Sequence, residues 1–236
     1  VIGGHEAQPN SWKWQMAYAD YPGYYSHICG GTLISTQWVM TAAHCLSMPP
    51  GVTYQVALGE HDLLEVDGTE YYIDVDRVFI HNDWNLNDIT QGYDIALLHL
   101  DSPAFDNGFV ELGVLPPEGE ILPNNYPRYI TGWGLVSGGS ITERLQEVML
   151  PVVNHEICSQ VNWWGSQAKV TMICAGGDGV WSGCSGDSGD PLSCYKDIHW
   201  QVHGIVSFGL VPYCNTYKKP TVFTHVSAYV DWIYSV

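Results

Sequence analysis

A serine hydroxyl is a weak nucleophile at neutral pH and needs a neighbouring base to take its proton. Three segments hold the parts for such a reaction: Thr41-Ala42-Ala43-His44-Cys45, Asp94-Ile95-Ala96-Leu97-Leu98 and Gly186-Asp187-Ser188-Gly189-Asp190-Pro191. His44 suits the base because a histidine titrates near working pH, and a buried carboxylate such as Asp94 can fix its tautomer and stabilise the imidazolium. Gly186 lets the backbone turn sharply and aim the N–H groups of Gly186 and Ser188 at one point, an oxyanion hole. Each residue alone has an ordinary structural reading: a His beside a Cys, an Asp opening an apolar strand, a Gly-Asp-Ser-Gly turn. The Gly-x-Ser-x-Gly elbow of α/β-hydrolases is absent, and the His, Asp, Ser order also differs from theirs.

A second cluster is suited to a hard cation. Glu60, Asp62, Glu65, Asp67 and Glu70 crowd five carboxylates into one short stretch, with Gly68 to permit a bend. Oxygen ligands so grouped suit Ca²⁺, although a solvated acidic loop would read the same way in an acidic chain. Acidic the chain is, with a net charge of −17 from 25 Asp+Glu against 8 Lys+Arg. That balance argues against nucleic acid or an anionic membrane as partner, since phosphate contacts need a basic face.

The elements that must position these groups are short. β-type runs such as Gly30–Ile34, Trp38–Met40, Tyr54–Leu58, Tyr71–Val75, Ile95–Leu98, Arg128–Thr131, Leu145–Leu150 and Val202–Val206 alternate with Gly, Asn and Pro turns. The spacing favours an antiparallel barrel or sandwich over βαβ units. Pro116-Pro117-Glu118-Gly119 is the best connection between two halves. Only the C-terminus has a helical period, with Val226, Tyr229, Val230 and Ile233 at i, i+3, i+4 and i+7. No run is long and apolar enough for a spanning helix, and Val1-Ile2-Gly3-Gly4 reads as a processed, mature start. The seven cysteines are dispersed, no HExxH occurs, and disulfides in an oxidising compartment are expected, with one thiol left over.

Taken in order, these motifs resemble the chymotrypsin-like serine proteases along the whole chain. Within that family the likeness is to the pancreatic elastases. It is carried by Gln8-Pro9-Asn10-Ser11-Trp12, Leu58-Gly59-Glu60-His61, Gly92-Tyr93-Asp94-Ile95, Asn162-Trp163-Trp164-Gly165-Ser166 and Lys219-Pro220-Thr221-Val222-Phe223-Thr224. The resemblance implies an all-β, trypsin-like fold: two antiparallel six-stranded β-barrels, about 15–113 and 118–225, and a C-terminal α-helix over 226–236. It implies His44, Asp94 and Ser188 as catalytic triad, and a zymogen cut that frees the Val1 ammonium to pair with Asp187. It also implies disulfides Cys29–Cys45, Cys158–Cys174 and Cys184–Cys214. The first closes a loop worth on the order of 3 kcal/mol in the chain-entropy model. Ser182 falls at the base of the specificity pocket and carries no charge to hold Lys or Arg. Gly209 and Thr221 form the walls, and the backbone of Ser207, Phe208 and Gly209 adds the substrate as a strand. Cleavage is expected after small to medium aliphatic residues, with Leu or an aromatic possible because Gly209 widens the entrance. The calcium ligands implied are the carboxylates of Glu60, Asp67 and Glu70 and the main-chain oxygens of Asp62 and Glu65. The expected setting is a secreted, digestive monomer, acting on protein or peptide substrates and meeting protein inhibitors.

Two positions depart from the pattern. Arg128 stands where the family has the partner of Cys194, so Cys194 is expected to be a free thiol. Asp190 stands where the family has glycine; it could strain the backbone, compete for the Val1 ammonium or repel Asp187. Asp190 therefore keeps two alternatives in view: a catalytically silent homologue that acts by binding, and a calcium-binding secreted module.

Overall fold

A computed structural model describes residues 1–21, 26–47 and 51–236. The chain begins with a two-residue strand, β1 (His5–Glu6), and then enters a closed six-stranded antiparallel barrel. Its strands are β2 (Gln15–Tyr21), β3 (Ser26–Ser35), β4 (Trp38–Thr41), β5 (Thr53–Leu58), β6 (Tyr71–Ile80) and β7 (Ala96–Leu100), in the spatial order β2-β3-β4-β7-β6-β5. Closure removes the sheet edges that would otherwise invite pairing with another chain. Residues 101–127 then cross to the second half, held to it by a β-bridge from Val114 to Gln201 and by hydrogen bonds of Gly119 and Glu120 to Ser227 and of Tyr126 to Tyr195.

The second half contains β8 (Arg128–Gly132), β9 (Gln146–Leu150), β10 (Val152–Val153), β11 (Met172–Ala175), β12 (Pro191–Lys196), β13 (His199–Phe208) and β14 (Thr221–His225). Its order is β1-β9-β8-β12-β13-β14-β11-β10. β9 and β10 are one run of chain interrupted only at Pro151, which cannot donate to a ladder. One end of that run pairs with β8 and the other with β11, so the sheet wraps round on itself as six strands. β1 is an extra strand laid on β9. One turn of helix, α1 (His155–Cys158), follows β10, its N-terminus capped by the Asn154 side chain. The chain ends in a 3-10 turn, Val226–Tyr229, running into α2 (Val230–Ser235). The expected helix thus starts one turn late. All four of its periodic residues are nevertheless buried, and Val226, Tyr229 and Ile233 pack against the first barrel's core.

Register decides what meets at the junction of the two halves. Thr41 pairs with Ala96, so His44 just after β4 and Asp94 just before β7 emerge at the same end of the first barrel. Pro191 pairs with Ile205, which sets the Ser188 turn beside the end of β13. Phe208 pairs with Val222, bringing Gly209 and Thr221 together. The three expected disulfides are all present. Cys194 is unpaired and buried. Arg128 is buried too, and its Nε and Nη1 have no partner among the described residues. Burial pushes the Cys194 thiol up to about 12, against the opposing pull of the Arg128 guanidinium.

Candidate active site

His44 sits in a 3-10 turn, Ala43–Leu46, whose place is fixed by the Cys29–Cys45 disulfide. Asp94 is delivered by a sharp bend: Gly92 has φ 90° and Tyr93 φ 60°. Both lie in the left-handed region, and the Tyr93 N–H is held by the Tyr229 hydroxyl at 3.1 Å. Asp94 is only 1% exposed and collects three donors. Its Oδ1 accepts from the His44 backbone N–H at 2.8 Å. Its Oδ2 accepts from His44 Nδ1 at 2.7 Å and from the Ser207 hydroxyl at 2.6 Å. The Thr224 hydroxyl holds the Asp94 carbonyl at 2.8 Å. A proton on Nδ1 leaves the Nε2 lone pair free as the base. Ser207, expected only as part of the strand that binds substrate, thus also orients Asp94. No local sequence pattern marks that role.

Ser188 lies on the turn that joins Cys184 to β12. Its carbonyl accepts from Gly30 N–H at 2.9 Å, and Gly189 N–H reaches Val206 O at 3.0 Å. Gly189 has φ 82°, and a Cβ there would run into Gly30 O and the Thr41 hydroxyl, so only glycine fits. Gly186 has φ 93°. Neither the Gly186 nor the Ser188 N–H donates to any described residue, which leaves two donors on one turn for a developing oxyanion. His27 Nε2 lies 3.3 Å from Gly186 O. A carbonyl only accepts, so Nε2 carries the proton and donates to it, and burial lowers the His27 pKa. No local residue pattern marks this contact.

The N-terminus is buried in the same region. The Val1 ammonium lies 2.6 Å from Asp187 Oδ2 and 2.8 Å from Leu135 O. The Val1 side chain packs with Ile130, Val148, Leu150 and Phe223. Ile2 forms a two-way backbone bridge with Ser182, at 2.7 and 3.2 Å. Asp187 also accepts from Cys184 N–H and Gly134 N–H, at 2.9 and 2.8 Å. One carboxylate therefore ties the chain terminus, the residue Gly134 after β8 and the Ser188 turn together, and the paired ammonium offsets the cost of its burial.

Asp190 departs from the sequence expectation in its backbone and toward Val1, while the expected conflict with the Asp187 charge is present and raises the Asp190 pKa. It is not among the residues with positive φ, so the backbone carries no strain there. Val1 makes no bond to it, so it does not compete for the ammonium.

Beside the Ser188 turn, Gly183 N–H bonds to the Thr221 hydroxyl at 2.9 Å. A Cβ on Gly209 would meet only Thr221 Cα at 4.0 Å, so the wall at Gly209 is open. Phe208 stacks edge-on against Trp164. Ser182 is buried, and its hydroxyl has no partner among the described residues. Gly186 also lines a cavity of about 630 Å³, with His27, Glu60, Trp133, Leu135 and Ser185 among its other walls.

At the Glu60 wall of that cavity, the carboxylates of Glu60, Asp67 and Glu70 converge within 4.8 Å of one another. Gly59 has φ 74° and Gly68 φ 82°, bending the loop around them. Asp67 accepts from the N–H groups of His61 and Asp62, and Glu70 accepts from that of Asp67. Glu60 Oε1 is buried without a partner. Burial, then Asp67 and Glu70, push the Glu60 pKa up to about 8. The Asp62 carboxylate is engaged instead with Leu64 N–H, Glu65 N–H and Arg144, so only its main-chain oxygen is left for a ligand.

Comparison with known proteins agrees with this geometry. The trypsin family model matches residues 1–233. Chymotrypsin-like elastase family member 1 from Rattus norvegicus is 51% identical over 239 residues, covering all of this chain and 89% of the relative. The Homo sapiens protein of that name is 50% identical, with 100% and 92% covered, and the one from Canis lupus familiaris is 50% identical with the same coverage. The chain belongs to the trypsin family, the chymotrypsin-like serine proteases, and is a serine endopeptidase of elastase-like kind.

Proposed function

We propose that this is a secreted, digestive endopeptidase that cleaves after small to medium hydrophobic residues through an acyl-enzyme. The observation that carries the reading is the Asp94–His44 pair together with the Ser188 turn, whose Gly186 and Ser188 N–H groups have no partner among the described residues. His44 Nε2 takes the Ser188 proton as the hydroxyl oxygen attacks the scissile carbonyl. The oxyanion forms at the Gly186 and Ser188 N–H groups, and Asp94 stabilises the imidazolium. His44 then gives its proton to the leaving amine, and water repeats the sequence to release the acid. The cavity beyond Gly186 suits the residues that leave with that amine. Cleavage of a zymogen ahead of Val1 supplies the ammonium that Asp187 binds. Substrate and protein inhibitors alike would lie along Ser207, Phe208 and Gly209, and the enzyme acts as a monomer.

Specificity follows from the absence of charge at Ser182, the open wall at Gly209 and the Thr221 side chain between them. A panel of peptide amides differing only in the residue before the scissile bond should rank Ala, Val and Leu above Lys and Arg by kcat/KM. One methylene should shift the ranking by about 10–200-fold at most. Preferred turnover of Lys or Arg amides would refute the pocket assignment.

Calcium fits the acidic loop, because an unpartnered buried carboxylate oxygen and a raised Glu60 pKa both call for a cation. Glu60, Asp67 and Glu70 would hold it by carboxylate, and Asp62 and Glu65 by main-chain oxygen. Its role is to neutralise and fix the loop, not to touch substrate. At calcium a hundredfold above Kd, chelation should lower Tm by about 5–10 °C. Without the ion, a carboxyl with a raised pKa loses stability as pH rises, so the gap should widen from about pH 4.5 to about 8. An unchanged Tm after EDTA treatment would remove calcium from the account.

A further inference from the structure

Asp190 is fully buried, and its surroundings are built to receive it. Gln15 Nε2 donates to Asp190 Oδ1 at 2.7 Å, and the Thr131 hydroxyl donates to Gln15 Oε1 at 2.7 Å. Gln15 and Thr131 are themselves buried, so this relay has no water to fall back on. The other oxygen, Oδ2, has no donor among the described residues. It faces Asp187 Oδ1 instead: a side chain begun on Gly132 would run into both oxygens, and one on Gly30 would run into Asp190 Oδ1. Two glycines thus leave the space that the extra carboxyl fills. Two carboxylate oxygens do not face each other in a dry core unless one carries a proton.

We propose that Asp190 is a positioning residue for the oxyanion turn: anchored by Gln15 and Thr131, it keeps its proton on Oδ2 and donates it to Asp187, clamping the carboxylate that holds Val1. Asp187 has the capacity to accept it. Its Oδ2 accepts from Val1 and Cys184, and its Oδ1 accepts only from Gly134. Burial first, and then the Asp187 charge, hold the Asp190 pKa well above the ordinary carboxylate range.

The titratable and charged groups facing the pair are few. The Val1 ammonium comes from the N-terminal segment, and neutral His27 comes from β3 through Gly186 O. β2 and β8 present the uncharged Gln15 and Thr131, and β13 presents the Val206 N–H, which donates to Asp190 O. The consequence is a limit at alkaline pH. Once Asp190 ionises, two carboxylates contend for one ammonium, and the turn that carries the Gly186 and Ser188 N–H groups loses its clamp.

The inference rests on the endopeptidase reading, which the wild-type rate at neutral pH tests separately. The experiment measures kcat and KM for one peptide amide across the alkaline range in wild type, Asp190→Asn and Asp190→Gly. Asparagine keeps a donor toward Asp187 but has no proton to lose at these pH values. Its neutral-pH kcat should stay near wild type, while the alkaline midpoint should move up by about one pH unit. Glycine also moves the midpoint up, but removes the clamp, so its neutral-pH kcat should fall about tenfold with KM little changed. Should the asparagine variant not fold, the glycine variant alone carries both readouts. A midpoint that does not move when Asp190 is replaced, or a glycine variant as fast as wild type, would overturn the proposal.

Discussion

Replacing Ser188 by Ala is expected to lower kcat by about 10⁶-fold while leaving KM and Tm nearly unchanged. The change removes one oxygen from a half-buried side chain. The backbone bonds that shape the turn, Gly30 N–H to Ser188 O and Gly189 N–H to Val206 O, do not involve the hydroxyl. The two oxyanion donors therefore stay in place, and a residual rate of about 10³–10⁴ over water should remain. Steady-state assay of highly purified variant, with urea melts alongside, checks both halves of the expectation. A loss of only tenfold would mean that another group performs the attack.

Replacing Asp94 by Asn should lower kcat about 10⁴-fold at neutral pH, the magnitude that this change has in the family's triads. The reason can be read from Asp94's donors. Its carboxylate accepts from the His44 backbone N–H, His44 Nδ1 and the Ser207 hydroxyl, all within 2.8 Å. An amide has one accepting oxygen, and its NH₂ must face at least one of those donors. Turned toward the ring, the NH₂ makes Nδ1 the acceptor and puts the proton on Nε2, where it blocks uptake of the Ser188 proton. Activity should recover partly at high pH, where hydroxide supplants the base. Retention of most of the neutral-pH rate in this variant would mean that Asp94 does not set the tautomer.

Some of this was legible in the chain because the chemistry is local. His44, Asp94 and Ser188 each sit in a short motif, and the carboxylates of the acidic loop lie within one bend, so residue types and spacing suggested the chemistry and the family resemblance joined the parts. The disulfides and barrel pairing needed the family resemblance, since spacing alone permits other connections. What escaped sequence reading is long-range. Ser207 reaches Asp94 across the barrel junction, His27 reaches the Gly186 carbonyl, and Gln15 reaches Asp190 from 175 residues away. Asp190 looked like an intrusion because its accommodation lies in Gly30, Gly132, Gln15 and Thr131, none of which is near it in sequence. Local rules also failed at the β12–β13 hairpin. Asp197 and Ile198 both adopt positive φ there, at 53° and 70°, although a β-branched residue gives no such signal.

The most direct test of the central claim is reaction of the intact chain with a serine-directed phosphonofluoridate, followed by mass spectrometry of the whole protein and its peptides. Fluoride leaves as the Ser188 oxygen bonds to phosphorus, and His44 takes the hydroxyl proton. The account predicts one label per chain, on the peptide containing Ser188, with loss of peptidase activity in step with labelling. An unlabelled, folded chain, or a label carried by a different serine, would contradict it.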